Sequence, residues 1–229
     1  METAKKKNIM LRFLPVHGWI AVAVMVIVNM MVYNGSRIFT RTMDHHNLTS
    51  ALDYNIPFIK EFVVVYIPIA YFQWIYGFYL AARENKTICA RIFAAEVCAK
   101  LLCLVCFLLL PTTMMRADVH GADFLSRAVY MVYRMDAADN LFPSIHCLES
   151  YILLRTVLWL EKAPKWYKYF TVPVSILVMM STVFMKQHVV VDIIAAVVVV
   201  EIGIFVAKMI YKRKTKNVDK ETEKTQLVS

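Results

Sequence analysis

A few side chains in the C-terminal half of the chain have the types and spacing needed for chemistry on an anionic ester. His188 and Asp192 are four residues apart, so on a helix that begins near His188 they share one face. A carboxylate that accepts from one imidazole nitrogen fixes the tautomer and leaves the other nitrogen free to attack or to take a proton. A second histidine, His146, closes the run Asp139-Asn140-Leu141-Phe142-Pro143-Ser144-Ile145-His146. Pro143 suits the first turn of a helix, which puts the amides of Ser144, Ile145 and His146 among the donors that no preceding turn satisfies. Such a helix start favours an anion, and His146 brings a proton donor within reach of whatever that anion is bonded to.

Cations and hydroxyls accompany both histidines. The run Ser181-Thr182-Val183-Phe184-Met185-Lys186-Gln187 leads into His188, and Pro111-Thr112-Thr113-Met114-Met115-Arg116 brings Arg116, whose planar fork suits phosphate oxygens. Each residue also has a structural reading. Asp192 could serve only the helix dipole, Arg116 could anchor a headgroup, Lys186 could snorkel, and Ser144 and Ser181 could bond backbone.

The elements that must position these residues are membrane spans. The 229-residue chain is 59% hydrophobic with a mean hydropathy of +0.53, too apolar for a soluble domain. Long apolar runs fall near 14–33, 61–82, 88–110, 145–162, 169–187 and 189–210, each about the length a span requires. They predict an all-α polytopic protein with a basic segment over 1–13, a six-helix bundle over 14–210 and a polar charged tail over 211–229. The first run reads as an uncleaved anchor rather than a signal peptide. The N-terminal segment, the loops near 83–91 and 162–168 and the stretch from Lys208 carry 17 Lys and Arg, against 7 in the other three loops. The positive-inside rule then puts both termini in the cytoplasm. Segments 34–60, 111–144 and the junction near 188 face the opposite side, so all three chemistry-bearing stretches share one face.

The same arithmetic excludes other classes. None of the five glycines forms a dinucleotide or triphosphate cradle. The formal charge of +9 reads as cytoplasmic anchoring and headgroup contact, so no nucleic-acid partner is expected. Cys89, Cys98, Cys103, Cys106 and Cys147 lie in or beside spans, where Cys103 and Cys106 read as packing residues and not as a redox pair. Glu96 and Lys100 stand four apart in the favourable order for a helix pair, and Glu149, Arg155 and Glu201 read as interhelical partners.

The Pro-Ser-Ile-His and His-x-x-x-Asp elements, in this order and on this side, resemble the second and third signature motifs of the type 2 phosphatidic acid phosphatase superfamily, whose patterns are K-x6-R-P, P-S-G-H and S-R-x5-H-x3-D. Ser181 stands seven residues before His188, as the third pattern asks, with Thr182 at its Arg position. Ile145 replaces the Gly, Ala117 follows Arg116 in place of Pro, and Leu109 occupies the Lys position. Phe-Pro-Ser-Ile-His with Lys-Gln-His is closest in style to the inositol phosphorylceramide synthase branch. The resemblance spans roughly residues 50 to 205.

That resemblance implies a nucleophilic His188 that forms a phosphohistidine, an orienting Asp192 and a general acid His146. Arg116, Lys186, Ser144 and Ser181 would hold phosphate oxygens. It implies no metal or other cofactor, and a bell-shaped pH dependence, since one histidine must be neutral while the other is protonated. The expected function is hydrolysis of a lipid phosphate or diphosphate, or of a similar ester, at the extracytoplasmic face of a membrane, with the plasma membrane the expected site. One alternative is a phosphotransferase that moves a phospho-headgroup to an alcohol. Others are a non-enzymatic transport or metal-binding protein that uses His146, His188 and Cys147 as ligands, and a scaffold in which the catalytic pattern has decayed.

Overall fold

The computed structural model describes residues 12–226, with side chains described as far as Tyr211. The expected N-terminal basic segment therefore lies almost wholly outside the described residues, as do the side chains of the expected tail. Among the described residues eight helices carry the fold: α1 (Val16–Thr40), α2 (Ala51–Asn55), α3 (Lys60–Arg83), α4 (Lys86–Leu109), α5 (Phe124–Met135), α6 (Ile145–Thr156), α7 (Lys165–Phe184) and α8 (Val190–Gln226). Two short strands, β1 (His46–Asn47) and β2 (Thr112–Thr113), pair in parallel.

Five of these stretches are long and apolar enough to cross a membrane: Val16–Thr40, Lys60–Arg83, Lys86–Leu109, Lys165–Phe184 and Val190–Tyr211. Large apolar side chains such as Ile20, Phe39, Ile75, Leu109, Tyr169, Ile194 and Phe205 are exposed on the outside of the bundle, which suits a lipid solvent and would be penalised in water. The chain is thus a multi-pass integral membrane protein. The fourth expected span, 145–162, is shorter than a full crossing. It is α helix only to Thr156, whose hydroxyl turns back to the Ile152 carbonyl (2.7 Å), and it ends in a 3-10 turn over Val157–Trp159. The first helix runs seven residues past its expected end at 33, and α7 stops at Phe184, three short of 187.

Alternating helices define two ends of the bundle. At one end Glu84, between α3 and α4, accepts on its carboxylate from the Lys162 amide (2.7 Å), and its carbonyl lies 2.9 Å from His17 Nε2 at the start of α1. At the other end lie the start of α6, the end of α7 and the start of α8. The chain after α6 therefore reaches the end opposite its start.

Polar contacts tie the helices where lipid offers no hydrogen bonds. Trp74 Nε1 donates to Ser150 Oγ (2.8 Å), Gln73 Nε2 to Ser175 Oγ (2.6 Å), and Ser175 Oγ to the Ser150 carbonyl (2.9 Å), joining α3, α6 and α7. Arg155 pairs with Glu201 between α6 and α8. Two helices contain wider π turns, Met31–Gly35 in α1 and Val65–Ile69 in α3. Pro68 lies in the second and cannot donate to the normal α ladder.

Helices α4 and α8 approach each other backbone to backbone. A Cβ on Gly203 would collide with the Ala95 carbonyl oxygen, whereas one on Gly35 would meet nothing within 4 Å. Gly203→Ala should therefore cost about 1–3 kcal/mol, while Gly35→Ala should be near neutral. Reversible unfolding of both variants in detergent compares them directly.

Candidate active site

The α7–α8 junction is a helix stop followed at once by a helix start. Met185 caps α7 and Lys186 follows in the left-handed region with φ 51°. The Gln187 amide reaches back to the Thr182 carbonyl (2.9 Å) and the Lys186 amide to that of Val183 (3.1 Å). This pair of bonds is the Schellman termination, with Lys at the position glycine usually takes. The next residue is His188, whose amide also bonds the Thr182 carbonyl (3.1 Å).

Asp192, in the first turn of α8, reaches back over that start. Its Oδ2 lies 3.1 Å from His188 Nδ1 and accepts from the Val189 amide at 3.1 Å. One carboxylate oxygen thus caps the helix and orients the imidazole. The Asp192 backbone carbonyl accepts from the Ser144 amide (3.2 Å), which fastens the start of α6 to the start of α8. His188 and Asp192 are 7% and 1% exposed, so the pair is held in place with a small opening toward the outside.

Ser144 is the N-cap of α6, and its Oγ accepts from the Cys147 amide (3.3 Å). Pro143 therefore stands one residue ahead of the cap, not in the first turn, and the Ser144 amide is already bonded. The amides left at the start of α6 are those of Ile145 and His146. Thr112 aims the preceding segment, its Oγ1 accepting from the amides of Leu141 (2.8 Å) and Phe142 (3.0 Å).

His146 lies across from His188 with ring centroids 6.2 Å apart. An oxygen placed about 3 Å from a nitrogen of each ring would fill that gap. Tyr66 stacks on His146 at 4.4 Å, and its hydroxyl lies 3.2 Å from His146 Nδ1. The same hydroxyl donates to Asp136 Oδ2 at 3.5 Å, and Tyr33 donates to Asp136 Oδ1 at 2.5 Å. Both tyrosines sit in the π turns, the kind of local widening that recurs at functional sites. With Tyr66 donating to Asp136, its oxygen is free to accept a hydrogen bond from an Nδ1–H of His146.

Arg116 follows β2 and lies over the Tyr133 ring at 4.6 Å, donating from Nη2 to the Asp136 carbonyl at 2.9 Å. Its Nη1 is buried and has no partner among the described residues. Burial pulls the guanidinium below its ordinary value while Asp136 works the other way; so basic a group keeps its charge. Burial likewise pushes the Tyr133 phenol up to about 12. Lys186 Nζ donates to the carbonyls of Asp53 (2.7 Å) and Ile56 (2.5 Å). Burial lowers its ammonium from the usual lysine range, partly countered by Asp53. Asp53 in turn accepts from the Val190 amide (2.7 Å), so α2 steadies the first turn of α8.

Two cavities meet at His188. The smaller, about 130 Å³, is lined by Arg116, Lys186 and His188. The larger, about 400 Å³, holds His146 and His188 with Tyr66, Trp74 and Asp136. Five of the seven residues singled out from the sequence, His146, His188, Asp192, Arg116 and Lys186, converge here. Ser144 is at the site, but its side chain caps its own helix. Ser181 does not join them: it is fully buried, with Oγ bonded to the Val178 carbonyl (2.6 Å). Thr182, at the position of the third-motif Arg, is equally buried. Cys147 Sγ lies 3.6 Å from Thr182 Oγ1, and among the described residues no three His, Cys, Asp or Glu side chains group to hold a metal ion.

Tyr66, Asp136, Tyr133 and Asp53 are the contributors that sequence reasoning missed. Ser50 and Asp53 carried one readable signal, the three-residue spacing of a capping box. Tyr66 and Asp136 carried none, because seventy residues separate them.

Compared with known proteins, the chain matches one family model, the PAP2 superfamily, over residues 87–219. No curated protein and no solved structure matches it.

The contact between Tyr66 and His146 is testable. Tyr66→Phe keeps the stack and removes the hydroxyl. Phosphate-ester turnover should fall about 10- to 100-fold in kcat with little change in KM, because support for the protonated imidazole acts in the chemical step. Steady-state phosphate release gives both constants.

Proposed function

Because the chain belongs to the PAP2 superfamily, we propose that this integral membrane protein cleaves a phosphate ester of a lipid or similar amphiphile through a phosphohistidine on His188. The free imidazole nitrogen of His188 attacks phosphorus, the bond from phosphorus to the ester oxygen breaks, and His146 delivers its proton to the departing alcohol. Water then attacks the phosphohistidine, His146 takes a proton from that water, and His188 is released with inorganic phosphate. Asp192 orients His188 and stabilises the charge its ring acquires. Arg116, through its unpartnered Nη1, and Lys186 hold the phosphate oxygens, together with the Ile145 and His146 amides. Ser144 contributes by fixing that helix start, and Ser181 by holding the end of α7.

The observation that carries this reading is the place of His188. It is oriented by Asp192 and stands between a cavity lined by two cations and one that contains a second histidine. Charge gives the two cavities different tasks: oxyanions in the first, the leaving group in the second.

Six passes between the two ends of the bundle fit the geometry, the one through α6 shorter than the other five, since α6 begins at the site end and the chain that follows it bonds Glu84 at the other. The Lys and Arg bias of the loops supports cytoplasmic termini and an extracytoplasmic site, with the plasma membrane the proposed location. A phosphotransferase is the second reading. A cavity of about 400 Å³ has room for an alcohol once the first product leaves, and transfer then differs from hydrolysis only in the acceptor.

Purified protein offered a panel of lipid phosphates and diphosphates should release inorganic phosphate. His188→Ala should lose essentially all turnover while remaining folded. Asp192→Asn should bind almost normally and lose about 10²- to 10⁴-fold in kcat. Wild-type rates in His188→Ala would sink the mechanism. Labelled substrate supplied with and without an alcohol acceptor separates the two readings by where the label ends. Because every step uses protein side chains, turnover should withstand excess chelator. A loss that only added metal restores would overturn it.

A further inference from the structure

Outside the histidine pair, an ionic cluster lies inside the bundle. Lys100 on α4 places Nζ 2.6 Å from Glu96 Oε1 on its own helix and 2.6 Å from Glu149 Oε1 on α6. One carboxylate would neutralise one ammonium, so the second needs another reason to be there. Charge at this depth is costly and marks a pathway or a ligand more often than a fold requirement.

Lys100 and Glu149 both line open space, Lys100 one cavity and Glu149 two. Glu149 is only 8% exposed, and its Oε2 is buried with no hydrogen-bond partner among the described residues. Glu149 lines the cavity that holds His146 and His188. It also lines an adjoining groove of about 410 Å³ walled by apolar residues such as Met25, Val26, Ile75 and Phe78. The two spaces share Asn29, Tyr71, Trp74 and Glu149, so Glu149 stands where a polar compartment opens into an apolar one.

We propose that Glu149 Oε2 is a specificity contact for lipid substrates that carry a hydroxyl, amide N–H or ammonium group beside the phosphate-bearing carbon. The proposal rests on the lipid-phosphate reading of the site above. His146 and Glu149 are three residues apart on α6, a rise of about 4.5 Å. A ligand whose phosphate lies between the two histidines passes Glu149 at the second or third carbon of its chain, and its tail continues into the apolar groove. A donor at that carbon completes the coordination of Oε2. A lipid with only a methylene there leaves a buried carboxylate oxygen unpaired, and one with an ester oxygen sets acceptor against acceptor.

The test uses the full chain in nanodiscs and two single-chain alkyl phosphates that differ only in a hydroxyl on the second carbon. The hydroxylated lipid should have a kcat/KM about 10- to 100-fold higher. In Glu149→Gln the side-chain oxygen can still accept from Lys100, which leaves the amide NH2 toward the cavity. A donor then replaces an acceptor, and the ratio should collapse to near one. Equal kcat/KM for the two lipids in the wild type, or an unchanged ratio in Glu149→Gln, overturns the subsite. Binding of the matching phosphonates to His188→Ala, followed by calorimetry, reads the same preference without turnover. A preserved Kd ratio with no hydrolysis of either phosphate would sink the phosphatase reading and leave the subsite standing. Equal Kd values would overturn the subsite whatever the activity, and this comparison needs no change at Glu149.

Discussion

The site hangs on one residue, Asp192 in the first turn of α8, three of whose bonds build it. Its carboxylate oxygen meets both His188 Nδ1 and the Val189 amide, and its backbone carbonyl takes the Ser144 amide. The first contact sets the tautomer and direction of His188, the second starts the helix that carries Asp192 itself, and the third brings the helix of His146 alongside. A buried carboxylate is costly unless it is well paired. Here that requirement does useful work, because satisfying the charge also builds the geometry. Asp192 Oδ1 is buried with no hydrogen-bond partner among the described residues.

The membrane explains why the machinery is at helix ends. In the span interiors backbone groups satisfy one another and there is no cheap way to present several polar side chains. At the ends, unpaired amides and capping side chains are needed in any case. The α7 stop, the α6 N-cap and the α8 start all occur at the same end of the bundle, and each contributes to the same small volume. The outer segments then hold the rest: α5 carries Tyr133 beneath Arg116, and the Tyr133 hydroxyl donates to the Met185 carbonyl at 2.5 Å. Arg116 and the α7 cap are thereby fixed by one tyrosine.

What the sequence made legible follows from the range of each interaction. His188 with Asp192 is an i, i+4 relation, Pro-Ser-Ile-His is contiguous, and the charge bias of the loops put both on one face; local spacing suffices for all three. Lys100 with Glu96 was readable for the same reason, whereas its bond to Glu149 crosses between helices. Tyr66, Tyr33 and Asp136 come from three distant segments, and the two tyrosines reach the carboxylate through π turns that leave no periodic signature. The length of the fourth span was misjudged because Leu158, Trp159 and Leu160 extend an apolar run past the point where the α helix ends at Thr156. Ser181 matched a motif by position, yet a serine inside a helix can bond its own preceding turn, and here it does.

Thr182 shows how a departure from a motif can be read physically. At the position where the resembled pattern has an arginine, its side chain is wholly buried, and its backbone carbonyl accepts from both Gln187 and His188. An arginine there would have to bury a guanidinium beside Cys147 or break the stop that presents His188. Under the proposed function, charge for the phosphate oxygens would come from outside α7, from Arg116 in the segment after β2 and Lys186 in the turn itself. Each is held by backbone carbonyls, Arg116 by Asp136 and Lys186 by Asp53 and Ile56. The hydrogen bonds come from neutral acceptors, while the carboxylates of Asp136 and Asp53 lie close enough to offset part of each charge.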